Sequence, residues 1–165
     1  MSFFLRHFQN AYVTHDIASS MEMMRERYAV EGFVCRDIDM MVKTPSGERP
    51  LHIKAATVWV GDLFLELIEP ISGFVDHYVP FLPKDPSDPT PRFHHVAMMR
   101  DDRDAMRQEI ERLGLPLAFE GPPVQDDHIF IYLDARETLG HYFQYIWASP
   151  AGWEVMGRPK SRASR

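Results

Sequence analysis

Arg92-Phe93-His94-His95-Val96-Ala97-Met98-Met99-Arg100-Asp101-Asp102, just past the midpoint of the 165-residue chain, opens with a histidine pair, continues as four apolar residues and ends in two aspartates. A helical pattern follows at once, with Ala105, Met106, Ile110 and Leu113 at helix spacing. A strand with a histidine near its start, feeding directly into an amphipathic helix, is a candidate opening for a metal site. The same plan appears earlier. Gln9-Asn10-Ala11-Tyr12-Val13-Thr14-His15-Asp16 also reads as a strand running into an aspartate, followed by Met21, Met24 and Tyr28 at helical spacing. At an offset of 86 residues, Gln9 falls on His95, Ala11 on Ala97, Val13 on Met99 and Asp16 on Asp102. A second correspondence, at an offset of 78, lays Phe64-Leu65-Glu66-Leu67-Ile68 over Tyr142-Phe143-Gln144-Tyr145-Ile146. An internal duplication sets the architecture, and two copies are too few for a solenoid. The expectation is therefore one domain made from two similar halves.

Working outward, residues 7–14 predict a strand and Asp16 or Ser19 a cap for the following helix, which Gly32 would stop. Strands are predicted over 33–42, 51–60 and 63–68, with a turn at Thr44-Pro45-Ser46-Gly47-Glu48 and a tight hairpin at Gly61-Asp62. The second half predicts a strand over 93–99, a helix over 102–113 closed by Gly114, and strands over 117–120, 128–133 and 141–147. Thr138-Leu139-Gly140 falls in the loop before the last strand. Between the halves, residues 70–91 hold six prolines and cannot sustain a helix or a central strand. Phe74, Tyr78 and Phe81 indicate that the first part of this connection packs down.

The predicted fold class is α+β: two βαβββ modules forming a curved mixed-sheet cup with helices outside. One domain would cover residues 1–156, with module one at about 7–69, the connection at 70–91 and module two at about 92–148. The basic tail, 157–165, is expected to be disordered.

Composition narrows the function classes. A formal charge of −6 argues against nucleic acid or an anionic membrane as partner. One cysteine, Cys35, excludes an intramolecular disulfide and points to a reducing cytoplasm, where a buried structural thiol is expected. No apolar run approaches the length of a membrane span, and Ser2-Phe3-Phe4-Leu5-Arg6 is too short for a signal sequence. No glycine-rich phosphate loop supports a nucleotide cofactor.

Four polar residues emerge from the duplication as a set: Gln9 and His95 near the starts of the first strands, Glu66 and Gln144 inside the last. All four side chains can donate an oxygen or nitrogen to a divalent cation. Polar groups in the middle of apolar strands need a partner or a wet cavity, because burying them alone costs several kcal/mol. The competing reading is that each is separately satisfied by hydrogen bonds or lies on a solvated face. Alternation points His94 away from His95, toward a surface or packing role. His141 falls at a strand entrance. Trp59, Phe64 and Phe143 are candidate substrate-cavity residues, with ordinary core as the alternative.

The duplication, together with Phe93-His94-His95-Val96-Ala97, Leu65-Glu66-Leu67-Ile68-Glu69-Pro70 and Leu139-Gly140-His141-Tyr142-Phe143-Gln144-Tyr145-Ile146-Trp147, resembles the vicinal oxygen chelate superfamily of glyoxalases, bleomycin-resistance proteins and extradiol dioxygenases. Over roughly residues 7–147 the chain is similar to the branch holding lactoylglutathione lyase and methylmalonyl-CoA epimerase. The resemblance implies a divalent metal ion (Zn, Ni, Co, Mn or Mg) held by Gln9, Glu66, His95 and Gln144, with Glu66, or a nearby acid such as Glu69, as the proton-transfer base. It also implies a small-molecule substrate and a homodimer. The activity it implies is a metal-dependent lyase, isomerase or epimerase that moves a proton next to a carbonyl. Gln144 departs from the pattern, since an acid commonly stands there and an amide cannot accept a proton. Two alternatives therefore stay open: metal-free small-molecule binding of the resistance type, or a structural remnant of the cup. Dioxygenase chemistry fits less well, because its iron sites favour two histidines and one carboxylate.

Overall fold

The computed structural model describes residues 2–121 and 127–158. Its elements run β1 (His7–Val13), α1 (Ile17–Tyr28), β2 (Val34–Thr44), β3 (Gly47–Val60), β4 (Leu63–Gly73), a 3-10 turn (Val79–Phe81), β5 (Arg92–Arg100), α2 (Arg103–Leu113), β6 (Leu117–Glu120), β7 (His128–Asp134), α3 (Arg136–Leu139), β8 (Tyr142–Ala148) and α4 (Pro150–Val155). This is βαβββ twice over. The eight strands close into a barrel in the order β1-β4-β3-β2-β6-β7-β8-β5, so the cup is a closed mixed sheet.

The duplication shows in the pairing itself. β1 lies parallel to β4 with Gln9 opposite Phe64 and Ala11 opposite Glu66. β5 lies parallel to β8 with His95 opposite Tyr142 and Ala97 opposite Gln144. The halves join through antiparallel β1 and β5, where Gln9 faces Ala97 and Ala11 faces His95. Exchanging the two halves leaves this register unchanged, so a pseudo-two-fold axis passes between the paired strands and brings equivalent inward side chains together.

The helices begin alike. Asp16 caps α1 through the Ser19 N–H at 3.0 Å, and Asp102 caps α2 through the Ala105 N–H at 2.8 Å. Their ends differ from expectation in one case. Gly114 closes α2 in the left-handed conformation, whereas α1 ends on Ala29, itself left-handed at φ 53°, three residues before Gly32. The Ala29 and Val30 N–H groups take up the Arg25 and Met24 carbonyls, so the last turn is satisfied before the glycine is reached.

Pro70 also departs from its predicted place outside the sheet. β4 continues through it to Gly73, paired only with β3 because β1 has ended opposite Ile68. One side of the strand is free there, so a residue without an N–H costs no ladder bond. The three residues expected in a loop before β8 are partly helical, with Thr138 and Leu139 in α3 and Gly140 as its cap. Cys35 is exposed rather than buried, although its Sγ reaches Met21 Sδ of α1 at 3.4 Å.

The second half of the proline-rich connection is tied down by hydrogen bonds. Ser20 and Thr14 hydroxyls donate to the Pro89 carbonyl at 2.6 and 3.0 Å. Gly157 and Arg158 extend the chain beyond α4 with backbone bonds to Glu154 and Trp153, and the rest of the basic tail, 159–165, lies outside the described residues. Among the described residues no helix is long and apolar enough to cross a membrane.

Candidate active site

Gln9, Glu66, His95 and Gln144 meet at the floor of the barrel. Gln9 Nε2 donates to Glu66 Oε2 at 2.8 Å and lies 3.2 Å from His95 Nε2. His95 Nε2 lies 3.1 Å from Gln144 Oε1 and 3.6 Å from Glu66 Oε2. The sequence places these residues on four strands and at most two of them within one module. Only the antiparallel seam between β1 and β5 makes them neighbours.

The proton positions follow from the chain of partners. The His77 carbonyl can only accept, so His94 donates to it from Nε2 at 3.1 Å. Burial pushes His94 down to about 3, so the ring is neutral and its Nδ1 carries a lone pair. His95 must then donate from Nδ1 to His94 Nδ1 at 2.9 Å. Burial, reinforced by the neighbouring His94, holds His95 well below the usual imidazole range, so it too is neutral. Its remaining lone pair, on Nε2, points at the centre of the site. The Tyr132 hydroxyl, 3.3 Å away, can donate to it. Burial raises the Tyr132 and Tyr78 phenols, which keeps both protonated.

His94 is the residue that alternation misplaced. It is fully buried beside His95, packed among Tyr78, Phe81 and Tyr142. Between the pairs Ala11–His95 and Tyr12–Phe93 the register slips, leaving His94 as the extra residue of a β-bulge. A bulge re-aims a side chain that strict alternation would turn outward. His94 thus fixes the tautomer of His95, a support role of the kind that orients metal-binding imidazoles.

Glu66 has its side chain 17% exposed and accepts from Gln9, yet burial pushes its carboxyl up to about 7, the Gln9 hydrogen bond opposing only part of the shift. Above the floor is a cavity of about 400 Å³. Its walls are mainly apolar: Ile38 and Met40 from β2, Leu51 and Ile53 from β3, Ile68 from β4, Phe130 from β7, Ile146 from β8 and Met156 beyond α4. Tyr78 and Tyr132 also line it, the former from the connection between halves, a contribution no strand pattern could indicate.

Of the three aromatic residues predicted for the cavity, Phe64 lines it, two residues from Glu66 and on the same strand face. Trp59 stacks on Phe8 and Phe64 and donates from its indole to the Met156 carbonyl at 2.8 Å, holding the segment after α4 against the barrel instead of lining the cavity. Phe143 is a correction. It packs outside the barrel with Phe4 and Tyr145, because neighbouring strand residues face opposite ways and Gln144 already faces in. His141, at the start of β8, bonds the Tyr142 carbonyl and packs on Phe93.

The floor fits a divalent cation in the spacing and chemistry of its donors. Ligands about 2.1 Å from an ion stand roughly 3.0–3.4 Å from one another; Gln144 Oε1 at 3.1 Å from His95 Nε2 falls in that range and Glu66 Oε2 at 3.6 Å just outside it. The His95 lone pair faces another acceptor, Gln144 Oε1, at 3.1 Å, an arrangement that a cation between them would relieve. Gln9 Oε1 is buried without a hydrogen-bond partner among the described residues, and turning the amide over would bring that oxygen inward. The donor set carries one negative charge, and no cluster of three or more His, Cys, Asp or Glu residues occurs among the described residues. Such a set favours weak binding.

No family model matches the chain, and no curated protein sequence does. Solved structures do. Methylmalonyl-CoA epimerase in complex with methylmalonyl-CoA and NH4+ aligns over 88% of this chain and 95% of that one, with a TM-score of 0.56 and 16% identity. The chain shares the fold of this epimerase. The epimerase from Mycobacterium tuberculosis aligns over 88% of this chain and 89% of its own, with TM-score 0.58 and 12% identity. That from Streptomyces coelicolor in complex with 2-nitronate-propionyl-CoA covers 87% and 97%, with TM-score 0.55 and 16% identity. In this shared fold, the four residues that meet on the barrel floor stand on the first and fourth strands of each module.

Proposed function

We propose that the protein catalyses an epimerase- or isomerase-type proton transfer next to a carbonyl of a small molecule, assisted by a weakly held divalent cation. The observation that carries this reading is the meeting of one carboxyl, one imidazole lone pair and two amides on the floor of a cavity with apolar walls. Without an ion Glu66 is held up to about 7 and a bound cation would lower it; of the four floor residues it alone is a carboxyl, able to take and return a proton. Gln144 cannot share that task, so Glu66 does the work of both directions. The fixed tautomer of His95 keeps its lone pair turned toward the floor, and Tyr132 supplies a neutral phenol O–H beside it. The apolar walls exclude water, which strengthens every charge interaction below them. A cation held by Gln9, Glu66, His95 and Gln144 would supply Lewis-acid stabilisation of the enolate oxygen.

The epimerase that shares this fold is seen in complex with methylmalonyl-CoA, which makes acyl thioesters the first compounds to try. The test is deuterium wash-in at the carbon next to the carbonyl, followed by NMR in heavy water with Co2+ or Mn2+ present. Exchange should fall at least ~100-fold in Glu66→Gln and in His95→Ala. Exchange that ignores both substitutions refutes the mechanism, as does its absence across thioesters, 2-oxo acids and thiohemiacetals.

A second reading is non-catalytic binding of a small molecule in the same cavity. It is favoured by Gln9 Nε2, which reaches Glu66 and His95 together and completes a hydrogen-bonded floor without an ion. Tight ligand binding by metal-stripped protein with no exchange would select it.

A further inference from the structure

We infer that Tyr132, with Tyr78 behind it, is the hydrogen-bond donor that meets the substrate's carbonyl oxygen as it becomes an enolate oxygen, while Glu66 takes the neighbouring proton. The inference rests on the reading of the floor just given and adds a catalytic residue to it.

An enolate oxygen needs a proton donor aimed at it. Gln9 Nε2 carries two N–H groups, one given to Glu66 Oε2 at 2.8 Å and the other turned to His95 Nε2 at 3.2 Å. His95 offers a single lone pair there, and the Tyr132 hydroxyl competes for it at 3.3 Å. Two donors face one acceptor, so one of them is in surplus. Gln9 is held in place by its bond to Glu66, whereas the Tyr132 O–H turns about its C–O bond and is free to leave. A cation on the His95 lone pair would release it in the same way. The Tyr78 hydroxyl lies beside that of Tyr132, and after the larger effect of burial the Glu66 charge acts on both phenols. Both residues line the cavity, so two O–H groups and the carboxyl face one space. A phenol is a stronger acid than a side-chain amide, and its hydrogen bond gains more as charge builds on the acceptor.

The two rings are fixed, which leaves the O–H torsion as the soft coordinate. Tyr132 stands opposite Gln144 in the β7–β8 register, stacks on Phe119 with centroids 4.3 Å apart and meets the His95 ring edge-on at 4.7 Å. Tyr78 packs on His77 at 3.8 Å and on His94 at 4.8 Å. Donors already in position need no reorganisation when charge appears. The step balances without a further reactant. Glu66 takes the proton from the carbon beside the carbonyl, the C–H electron pair becomes the carbon–carbon double bond, and the carbonyl π pair moves onto the oxygen that Tyr132 holds. Return of a proton from Glu66 restores the carbonyl, and exchange of that proton with water before its return labels the carbon. Tyr132 keeps its own proton throughout, because burial holds the phenol well above the ordinary tyrosine range. Neutral donors below apolar walls suit an uncharged ketone or thioester carbonyl.

The probe is 2-tetralone with carbon-13 at its carbonyl, bound to the full-length protein in the presence of a chelator so that no ion competes for the oxygen. In wild type the carbonyl resonance of the bound ketone should lie downfield of its position in an apolar solvent, and Tyr132→Phe, which keeps the ring against Phe119, should move it back. Deuterium wash-in on the same ketone, followed with Co2+ present as above, should fall about 100- to 1000-fold in Tyr132→Phe, the usual loss for one oxyanion donor. Ketone affinity should fall less than about tenfold, the contribution of one neutral hydrogen bond. Tyr78→Phe should slow exchange less and move the resonance part of the way. Co2+ affinity should not fall in Tyr132→Phe, which sets a hydrogen-bond donor apart from a metal ligand. Wild-type resonance and exchange in Tyr132→Phe overturn the inference. So does a loss of exchange no larger than the loss of affinity, a fall in Co2+ affinity, or no binding of the ketone up to its solubility. A resonance that depends on Tyr132 without any exchange leaves the donor standing and removes the proposed reaction, whereas exchange that Glu66 controls but Tyr132 does not affect leaves the reaction and removes the donor.

Discussion

Replacing Glu66 by Gln in the metal-free protein should reverse its effect on stability with pH. A carboxyl that titrates at 4.5 in the unfolded chain and at about 7 when folded binds its proton more tightly in the native state. Its contribution is favourable at low pH, declines as pH rises from 4.5, and is fully lost above about 7. The shift, about 2.5 units at 1.36 kcal/mol each, corresponds to about 3 kcal/mol of stability that wild type forfeits at pH 8 and Glu66→Gln does not. The amide keeps the shape and can still accept from Gln9, so little else changes. Wild type alone is a poor reporter, because buried His77, at about 2, and His94, at about 3, act in the opposite sense: both stay neutral when folded, and stability rises toward pH 6.5. Subtracting the two curves cancels these histidines. Urea denaturation with a chelator present, from pH 5 to 8, should show the two proteins converging near pH 5. At pH 8 the variant should be ahead by about 3 kcal/mol, or roughly 6–12 °C in melting temperature for a chain of this size. A difference that stays flat across this range, or that favours wild type at pH 8, refutes the picture of a carboxyl desolvated on the barrel floor.

Substituting His94 by Phe should cost about 1–3 kcal/mol, because it strands both the His95 Nδ1–H and the His77 carbonyl; it should also weaken cation binding about 10- to 100-fold, read by denaturation and by titration with Co2+. Stoichiometric Co2+ uptake by wild type should disappear in His95→Ala, while a chelator should restore the hydrogen-bonded floor without unfolding the barrel, as seen by circular dichroism. Phe143→Ala should destabilise by about 3–5 kcal/mol yet leave ligand affinity intact, since the ring packs outside the barrel; a change in affinity would contradict that placement.

The duplication was legible because each half must solve the same problem. Asp16 and Asp102 cap equivalent helices, and Gln9, His95, Glu66 and Gln144 hold equivalent strand positions, so the offsets of 86 and 78 carried the architecture and the candidate floor. Local chemistry also set the aspartate caps and the hairpin at Gly61-Asp62. Alternation, applied evenly, would have excluded Phe143 from the cavity. It could not have found His94, because a bulge is a mismatch between two strands and neither strand contains it alone. Tyr78 likewise reaches the floor from a proline-rich connection with no period to read.

What the chain determined by itself was what each segment prefers to be and which face of it avoids water, since those depend on neighbours within a few residues. Tertiary structure alone decided which faces meet. The seam between β1 and β5 aims four polar side chains at one point, and the barrel buries Glu66 until its proton is held to about 7. Desolvation and convergence are properties of distance in space, and sequence separation does not encode them.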